Sequence, residues 1–153
     1  MWFLVSPGNP LKDVSALPPL ETRVEAARRF LHHPRLKVTG VEAALGTRYT
    51  ADTLEALVKR APGIRFVWLM GADNLAQLSD WQRWRDIAAL MPIAVYERPG
   101  QGFRALAGEA ARTLHYKRLP EQAARVLPFL PPPAWVYLTG VTSPLSSTLL
   151  RGR

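Results

Sequence analysis

The chain has 153 residues, a formal net charge of +8 and no cysteine. The absence of cysteine excludes disulfides and thiolate zinc sites, and no apolar run reaches the ~20 residues that a membrane-spanning helix needs. A chain of about 150 residues can form one domain with a usable core. We therefore expect a single cytoplasmic domain over residues 1–153, with no membrane segment.

Strand-like and helix-like patterns alternate along the chain. Short apolar runs bounded by Gly, Pro or Asn predict strands, and apolar residues at helical spacing predict amphipathic helices. The predicted elements are strands at 1–5, 36–39, 64–70, 93–96 and 135–138, helices at 19–32, 50–61, 80–91 and 105–113, and a helical segment that opens at Ser146. Residues 40–48 are predicted to be a loop, and residues 119–133 a loop with a helical turn. This alternation favours an α/β fold, an open parallel sheet with flanking helices.

The run 64–70 is the clearest strand, and we expect it to be buried. The turn 71–74 ends it, and ligands in open α/β sheets bind where the carboxyl ends of strands meet helices. This turn is therefore the first predicted site. The following helix is predicted to begin at an Asp80 cap and to carry Trp81 on its apolar stripe.

Polar side chains follow several of the predicted strands. Hydroxyls and amides at helix starts suit phosphate oxygens, guanidinium groups suit phosphate, carboxylates suit ribose hydroxyls, and an indole suits ring stacking. The candidates are Asn9, Lys12, Tyr49, Thr50, Gly71, Asp73, Trp81, Arg98, Ser146, Ser147, Thr148 and Arg151. Each alone has an ordinary structural explanation, such as a helix cap or a core tryptophan. Together they predict a nucleotide site.

Several longer stretches have the character of specific motifs. They are SPGNPLK at 6–12, YTADTL at 49–54, FVWLMGADNLAQLSDW at 66–81, RPG at 98–100 and LSSTLLR at 145–151. These stretches resemble the bacterial nicotinate-nucleotide adenylyltransferases of NAD biosynthesis, whose final motif is I-S-S-T-x-I-R. The resemblance covers nearly the whole chain. It implies a Rossmann-like nucleotidyltransferase fold and an enzyme that joins the adenylyl group of ATP to nicotinate mononucleotide with Mg²⁺, giving deamido-NAD and pyrophosphate.

The resemblance also implies which residues face the mononucleotide. They are Asn9, Lys12, Tyr49, Thr50, Trp81 and Arg98. Trp81 would stack on the nicotinate ring, and Thr50 with Tyr49 would hold the ring carboxylate.

A second group would bind ATP by the same resemblance. Its members are Gly71, Asp73, Ser146, Ser147, Thr148 and Arg151. Asp73 and the Gly71 backbone would lie at the nucleotide ribose. Thr148 and Arg151 would act as the catalytic residues by stabilising charge on the departing pyrophosphate. No protein-held metal site is expected.

One family motif has no counterpart among these residues. The family carries a first strand and a His-x-Gly-His loop that binds ATP phosphates, whereas the histidines here are His32, His33 and His115, without that spacing. His32 and His33 follow a predicted helix, where an imidazole suits the helix dipole. The fold is therefore expected to be N-terminally truncated, with its first central strand missing, and to have little activity.

A mis-assigned translation start would explain such a truncation. Relatives commonly have Val-Trp-Phe-Leu where this chain begins Met-Trp-Phe-Leu, and a GTG valine codon can initiate translation. The DNA upstream of Met1 tests this hypothesis: it is wrong if no in-frame segment encodes the missing strand and loop.

Two other functions stay open. One is an inactive nucleotide-binding remnant that keeps the pocket of Trp81 and Arg98. The other is a basic nucleic-acid-binding protein, suggested only by the charge of +8. We expect ATP and nicotinate mononucleotide as partners, with no nucleic acid and no membrane, and a homo-oligomer is compatible with the sequence.

Overall fold

A computed structural model describes residues 1–8, 15 and 17–141. The chain divides into two compact units, residues 1–60 and residues 61–153. Each unit contains parallel strands with flanking helices, so the predicted α/β class is confirmed. The expectations of one domain and of a missing central strand stay predictions. No helix in the described ranges is long and apolar enough to cross a membrane.

The first unit has a two-stranded parallel sheet. Its elements are β1 (Trp2–Leu4), α1 (Leu20–Phe30), β2 (Lys37–Thr39), α2 (Val41–Leu45) and α3 (Thr50–Arg60). Phe3 of β1 lies opposite Val38 of β2. Helix α1 begins directly after Pro19, whose fixed φ of −47° suits a helix start. Basic side chains in its last turn face the negative end of the helix dipole.

The expected loop at 40–48 was wrong over most of its length, because α2 occupies it. This helix has only five residues, too few to show helical periodicity in the sequence. Gly46 ends α2 in the left-handed conformation, at φ 65°, which a glycine adopts without strain. Glu42 lies in the first turn of α2 and is buried, with 6% of its surface exposed.

Burial makes Glu42 sensitive to pH. Desolvation raises the pKa of its carboxyl, and a hydrogen bond from Ser6 opposes that shift. Because the folded chain holds the proton more tightly than the unfolded chain, the contribution of this carboxyl to stability is fully present below its ordinary pKa of 4.5 and is lost as pH rises through the folded pKa. We expect Glu42→Gln to flatten this fall in chemical denaturation measured at several pH values. Glu25→Gln, at a largely exposed position, should leave it unchanged.

The second unit contains a four-stranded parallel sheet. Its strands are β3 (Trp68–Gly71), β4 (Ile93–Tyr96), β5 (Arg118–Leu119) and β6 (Trp135–Leu138), in the order β3-β4-β6-β5. Its α-helices are α4 (Ala72–Ala76), α5 (Trp84–Leu90), α6 (Gly102–Ala107) and α7 (Glu109–Thr113). The strands β4 and β6 match their predicted bounds. They form the centre of this sheet, where Val95 and Val136 are fully buried.

The expectation of a buried strand at 64–70 needs correction. The observed β3 is shorter and, among the strands of the described residues, lies at an edge of its sheet with β4 as its hydrogen-bonded neighbour. An edge position explains why Leu69 is 45% exposed and only Met70 of this strand is buried. The sheet centre of this unit is therefore the β4–β6 pair.

Three further boundaries differ from the sequence expectation. The helix expected over 80–91 begins only at Trp84, because Asp80 ends a 3-10 turn and Arg83 takes a left-handed φ of 56°. The helix expected over 105–113 is two helices separated at Gly108, whose backbone is extended. The proline-rich segment 119–133, expected to be a loop with one helical turn, contains two 3-10 helices, Glu121–Arg125 and Leu127–Phe129.

Candidate functional site

Three of the predicted ATP and mononucleotide residues meet at the carboxyl ends of β3 and β4. Gly71 ends β3 and lies opposite Tyr96, the last residue of β4. Asp73 follows in α4, and Arg98 follows β4 two residues later. Arg98 Nε lies 3.1 Å from Asp73 Oδ1. The carboxyl ends of parallel strands lie at the same edge of the sheet. Residues that follow two such strands can therefore be close in space although they are far apart in sequence.

Gly71 makes this approach of Asp73 and Arg98 possible. A Cβ atom at position 71 would lie 2.4 Å from Asp73 Oδ1 and 2.8 Å from Arg98 Nε. The backbone there is ordinary, with φ −79° and ψ 159°, so the position requires space rather than unusual torsions. The glycine is thus part of the floor of the site.

Asp73 and Arg98 can each make further contacts with a ligand while they face each other. Their contact is within ion-pair distance, but Asp73 Oδ1 is buried and has no aligned hydrogen bond from a described residue. We take the contact as electrostatic, because hydrogen bonds need alignment as well as distance. The side chains are 43% and 50% exposed, respectively, so both groups remain open to a solute. The pair can offer a guanidinium to an anion and a carboxylate to a hydroxyl.

Gly71→Ala tests the space at the floor of the site. The added methyl group should push the Asp73 and Arg98 side chains apart, and we expect about a 3- to 10-fold loss of nucleotide affinity in calorimetric titration. Folding should survive, because the displaced atoms are side-chain ends. Gly63→Ala is the matched control, since a Cβ there meets nothing within 4 Å. Equal affinity in both variants would contradict the proposed role of Gly71.

Trp81 lies outside the helix on which it was expected. Its backbone is extended, with φ −81° and ψ 139°, and its backbone N–H donates to the Leu78 carbonyl at 3.0 Å. The buried stripe of α5 is formed instead by Trp84, Ile87 and Ala88. Trp81 is only half-buried. The core explanation therefore applies to Trp84, whereas Trp81 lies outside the core.

Tyr49 and Thr50 belong to the first unit. Thr50 is the first residue of α3, and the Tyr49 carbonyl accepts hydrogen bonds from Thr53 N and Thr53 Oγ1, at 3.1 and 3.2 Å. Thr53 Oγ1 also lies 2.7 Å from Thr47 Oγ1. These bonds fix the backbone that carries both predicted substrate residues.

The remaining predicted residues lie outside the described ranges. They are Asn9, Lys12, Ser146, Ser147, Thr148 and Arg151. Two of the three histidines lie in local contacts: His33 Nδ1 accepts from the Arg35 N–H at 3.1 Å, and His115 Nδ1 lies 2.8 Å from the Arg112 carbonyl oxygen. No group of three or more His, Asp or Glu side chains suited to a metal ion occurs among residues 1–8, 15 and 17–141.

Side chains that the sequence does not predict as functional hold the residues directly after β6. Glu121 accepts from Thr139 N at 2.9 Å and from Thr139 Oγ1 at 2.8 Å. The Tyr96 hydroxyl donates to the Val141 carbonyl at 3.0 Å. A Cβ at Gly140 would lie 2.7 Å from that hydroxyl oxygen. No local pattern signals these contacts, although a glycine just beyond a strand is a hint of close approach.

Comparison with known proteins identifies the relatives of the chain. A family model described as cytidylyltransferase-like matches residues 1–153. A protein of Bradyrhizobium sp. (strain BTAi1 / ATCC BAA-1182) named "Probable nicotinate-nucleotide adenylyltransferase" is 54% identical over 151 residues, 99% of this chain and 79% of that protein. Proteins with the same name from Methylorubrum extorquens and Brucella abortus are 50% and 48% identical, over 100% and 99% of this chain and 83% and 78% of their own lengths. The resemblance drawn from the motifs is thus confirmed, and the chain belongs to the cytidylyltransferase-like family, in the group of the nicotinate-nucleotide adenylyltransferases.

Proposed function

We propose that this chain is a nicotinate-nucleotide adenylyltransferase, which transfers the adenylyl group of ATP to nicotinate mononucleotide. The observation that carries the proposal is the pair of Asp73 and Arg98 above Gly71, at the carboxyl ends of two parallel strands. This pair lies within motifs similar to those of the family, in a chain 54% identical to a relative that bears this name.

The reaction needs positioning and charge stabilisation more than covalent catalysis. A phosphate oxygen of the mononucleotide attacks the α-phosphorus of ATP and forms the new P–O bond. The bond from that phosphorus to the oxygen bridging the α- and β-phosphates breaks, and pyrophosphate leaves with the electron pair. Groups that hold both phosphates in line and neutralise the developing charge therefore supply most of the rate enhancement.

Arg98 suits the mononucleotide side of this reaction. Its guanidinium is half exposed and has donors beyond the Nε atom that faces Asp73, so it can also contact a phosphate. Asp73 in turn holds the guanidinium in place and offers its carboxylate to a ribose hydroxyl. We assign Ser146, Ser147, Thr148 and Arg151 to the phosphates of ATP, and Asn9, Lys12, Tyr49 and Thr50 to the mononucleotide, as the resemblance implies.

Mg²⁺ fits this site as a partner of ATP. Among the described residues of the site, Asp73 is the one carboxylate, and Arg98 already faces it. That donor set is too small to hold the ion alone, whereas Mg²⁺ commonly keeps several waters and binds through substrate phosphates. When bound, the ion would neutralise phosphate charge.

Binding provides the first test, because no His-x-Gly-His motif occurs within these 153 residues. Calorimetric titration should give saturable binding of nicotinate mononucleotide, with weaker binding of nicotinamide mononucleotide, which lacks the carboxylate assigned to Thr50 and Tyr49. Pyrophosphate release in the presence of ATP then distinguishes an enzyme from an inactive remnant. Absence of mononucleotide binding, together with salt-sensitive retention on DNA, would favour the nucleic-acid alternative instead.

Trp81→Ala tests the assigned stacking platform. Stacking of a base on an aromatic side chain contributes about 1 to 3 kcal/mol in nucleic-acid complexes, so we expect roughly a 5- to 150-fold loss of mononucleotide affinity. Tyr116→Ala is a suitable control, because Tyr116 is an exposed aromatic residue at 67% and lies outside the candidate site. Unchanged affinity for the mononucleotide in the Trp81 variant would reject the stacking role.

A further inference from the structure

A second pocket lies at the carboxyl ends of β5 and β6. Its volume is about 370 Å³, and its polar lining consists of His115, Arg118, Glu121, Tyr137 and Thr139. The strand order β3-β4-β6-β5 puts this pocket at the opposite end of the sheet from β3, which carries the candidate site. None of the lining residues is assigned to ATP or to the mononucleotide, so the pocket needs an explanation of its own.

Arg118 supplies a cation with unused donors. The side chain is exposed, and its guanidinium forms no hydrogen bond or ion pair with any residue that the structure describes. Its Cζ atom lies 5.4 Å from the centroid of the Trp135 ring and 5.6 Å from that of the Tyr137 ring. Contact with aromatic faces stabilises a guanidinium through its charge and leaves the N–H groups at its edge for other acceptors.

The aromatic surface under Arg118 is fixed by the core. Trp135 is 3% exposed, and its Nε1 donates to the Leu114 carbonyl at 2.8 Å. Tyr137 is the next residue on the same face of β6 and is 6% exposed. A guanidinium that rests on two buried rings loses less freedom when it binds an anion than a fully solvated one does.

The Tyr137 hydroxyl is a second unused donor. It is buried and has no hydrogen-bond partner within residues 1–8, 15 and 17–141. Burial and the negative charge of Glu97 raise the pKa of Tyr137, while Arg118 opposes the shift. The hydroxyl therefore keeps its proton. A buried hydroxyl without a partner costs free energy, and a ligand or a water that the ligand orders would remove that cost.

Two carboxylates limit the charge that the pocket accepts. Glu121 lines it, with its two oxygens accepting from Thr139 N and Thr139 Oγ1, and Glu97 acts on Tyr137 by its charge. Both would repel a second or third anionic group of a ligand. The combination favours one phosphate over a polyphosphate, and the volume leaves room for a small organic group beside that phosphate.

We propose that the pocket between β5 and β6 binds the phosphate of a small phosphate monoester, with the Arg118 guanidinium as its main donor and the Tyr137 hydroxyl as a second. Guanidinium groups bind phosphate through paired, charge-assisted hydrogen bonds. The inference goes beyond the proposed function and does not rest on it, because no residue of this pocket belongs to the candidate site.

A titration followed by NMR tests the proposal in the full chain. Glycerol 3-phosphate is the probe, and tripolyphosphate at equal ionic strength is the comparison. The backbone amides of Leu119 and Thr139 report on this pocket, whereas those of Gly71 and Asp73 report on the candidate site. Binding at the two places is therefore measured separately, and failure of the proposed function would not alter the result at Leu119 and Thr139.

Three variants identify the donors. Arg118→Ala removes the cation, and Tyr137→Phe removes the hydroxyl but keeps the buried ring. Arg112→Ala is the matched control, because Arg112 is an exposed basic residue of α7 outside the pocket lining. Unchanged amide signals from β4 in each variant show that the fold persists.

We expect saturable shifts at Leu119 and Thr139, weakened about tenfold or more by Arg118→Ala and about threefold by Tyr137→Phe. Arg112→Ala should stay within about twofold of the unsubstituted chain, and tripolyphosphate should bind no more tightly than the monoester. An absence of saturable shifts at these two amides would overturn the proposal. Equal losses in the Arg112 and Arg118 variants, or tighter binding of tripolyphosphate, would also overturn it, since diffuse surface charge would then explain the binding.

Discussion

Arg98→Ala should weaken binding of nicotinate mononucleotide by about 10- to 100-fold, while the free energy of unfolding changes by less than about 1 kcal/mol. The two effects differ because the Arg98 ion pair with Asp73 is half exposed and water screens it. A phosphate bound by the guanidinium would replace that water and gain charge-assisted hydrogen bonds. Calorimetric titration measures the first quantity and chemical denaturation the second.

A double variant separates two causes of this loss. Arg98→Ala removes a cation and also leaves the Asp73 carboxylate unbalanced, 3.1 Å from where the guanidinium Nε lay. We expect the additional change Asp73→Ala to recover part of the affinity by removing repulsion between two anions. Arg29→Ala, which breaks another exposed ion pair, should bind as the unsubstituted chain does. Full affinity in Arg98→Ala would contradict the assignment of this residue.

Leu127→Ala should destabilise the chain by about 2 to 5 kcal/mol, in the range for large-to-small changes in a core. Leu127 is 2% exposed and packs in a cluster with Ala94, Ala134 and Val136. Its truncation leaves a cavity beside the two central strands β4 and β6. Denaturant titration, monitored by circular dichroism, measures the loss in the free energy of unfolding.

The neighbouring residue provides the control for this experiment. Val126 is 50% exposed, so Val126→Ala should change stability by no more than about 0.5 kcal/mol. Similar losses in the two variants would show that the proline-rich segment does not contribute to the core through Leu127. Such a result would support the loop that the sequence predicts there.

Buried apolar runs explain where the sequence predicted the fold well. The strands at 93–96 and 135–138 were predicted with their observed bounds, because each is a short apolar run next to prolines. A helix of only a few residues shows no clear helical spacing of apolar residues, so the sequence does not predict α2, which has five residues. The start of α5 depends on the left-handed backbone of Arg83, which no residue pattern indicates.

For the candidate site, the sequence predicts which residues follow the ends of the strands and what chemistry their side chains offer. Functional side chains lie where parallel strands end, which predicts Gly71, Asp73 and Arg98 as site residues, and the structure brings these three together. The hydrogen bonds that Arg23 donates to the Ser6, Pro7 and Pro18 carbonyls could not be predicted in the same way. Every residue carries a backbone carbonyl, so the position of these acceptors depends on the folded path of the chain.

The end of β4 carries two connections at once. Tyr96, its last residue, donates to the Val141 carbonyl, 45 residues further along the chain, and Arg98 follows two residues later. Val141 leads to the segment proposed for ATP phosphates, whereas Arg98 is proposed for the mononucleotide. If binding of one substrate displaced this strand end, the affinity for the other substrate would therefore change. Linkage requires any such effect to be reciprocal: if ATP raises the affinity for the mononucleotide, the mononucleotide raises the affinity for ATP by the same factor.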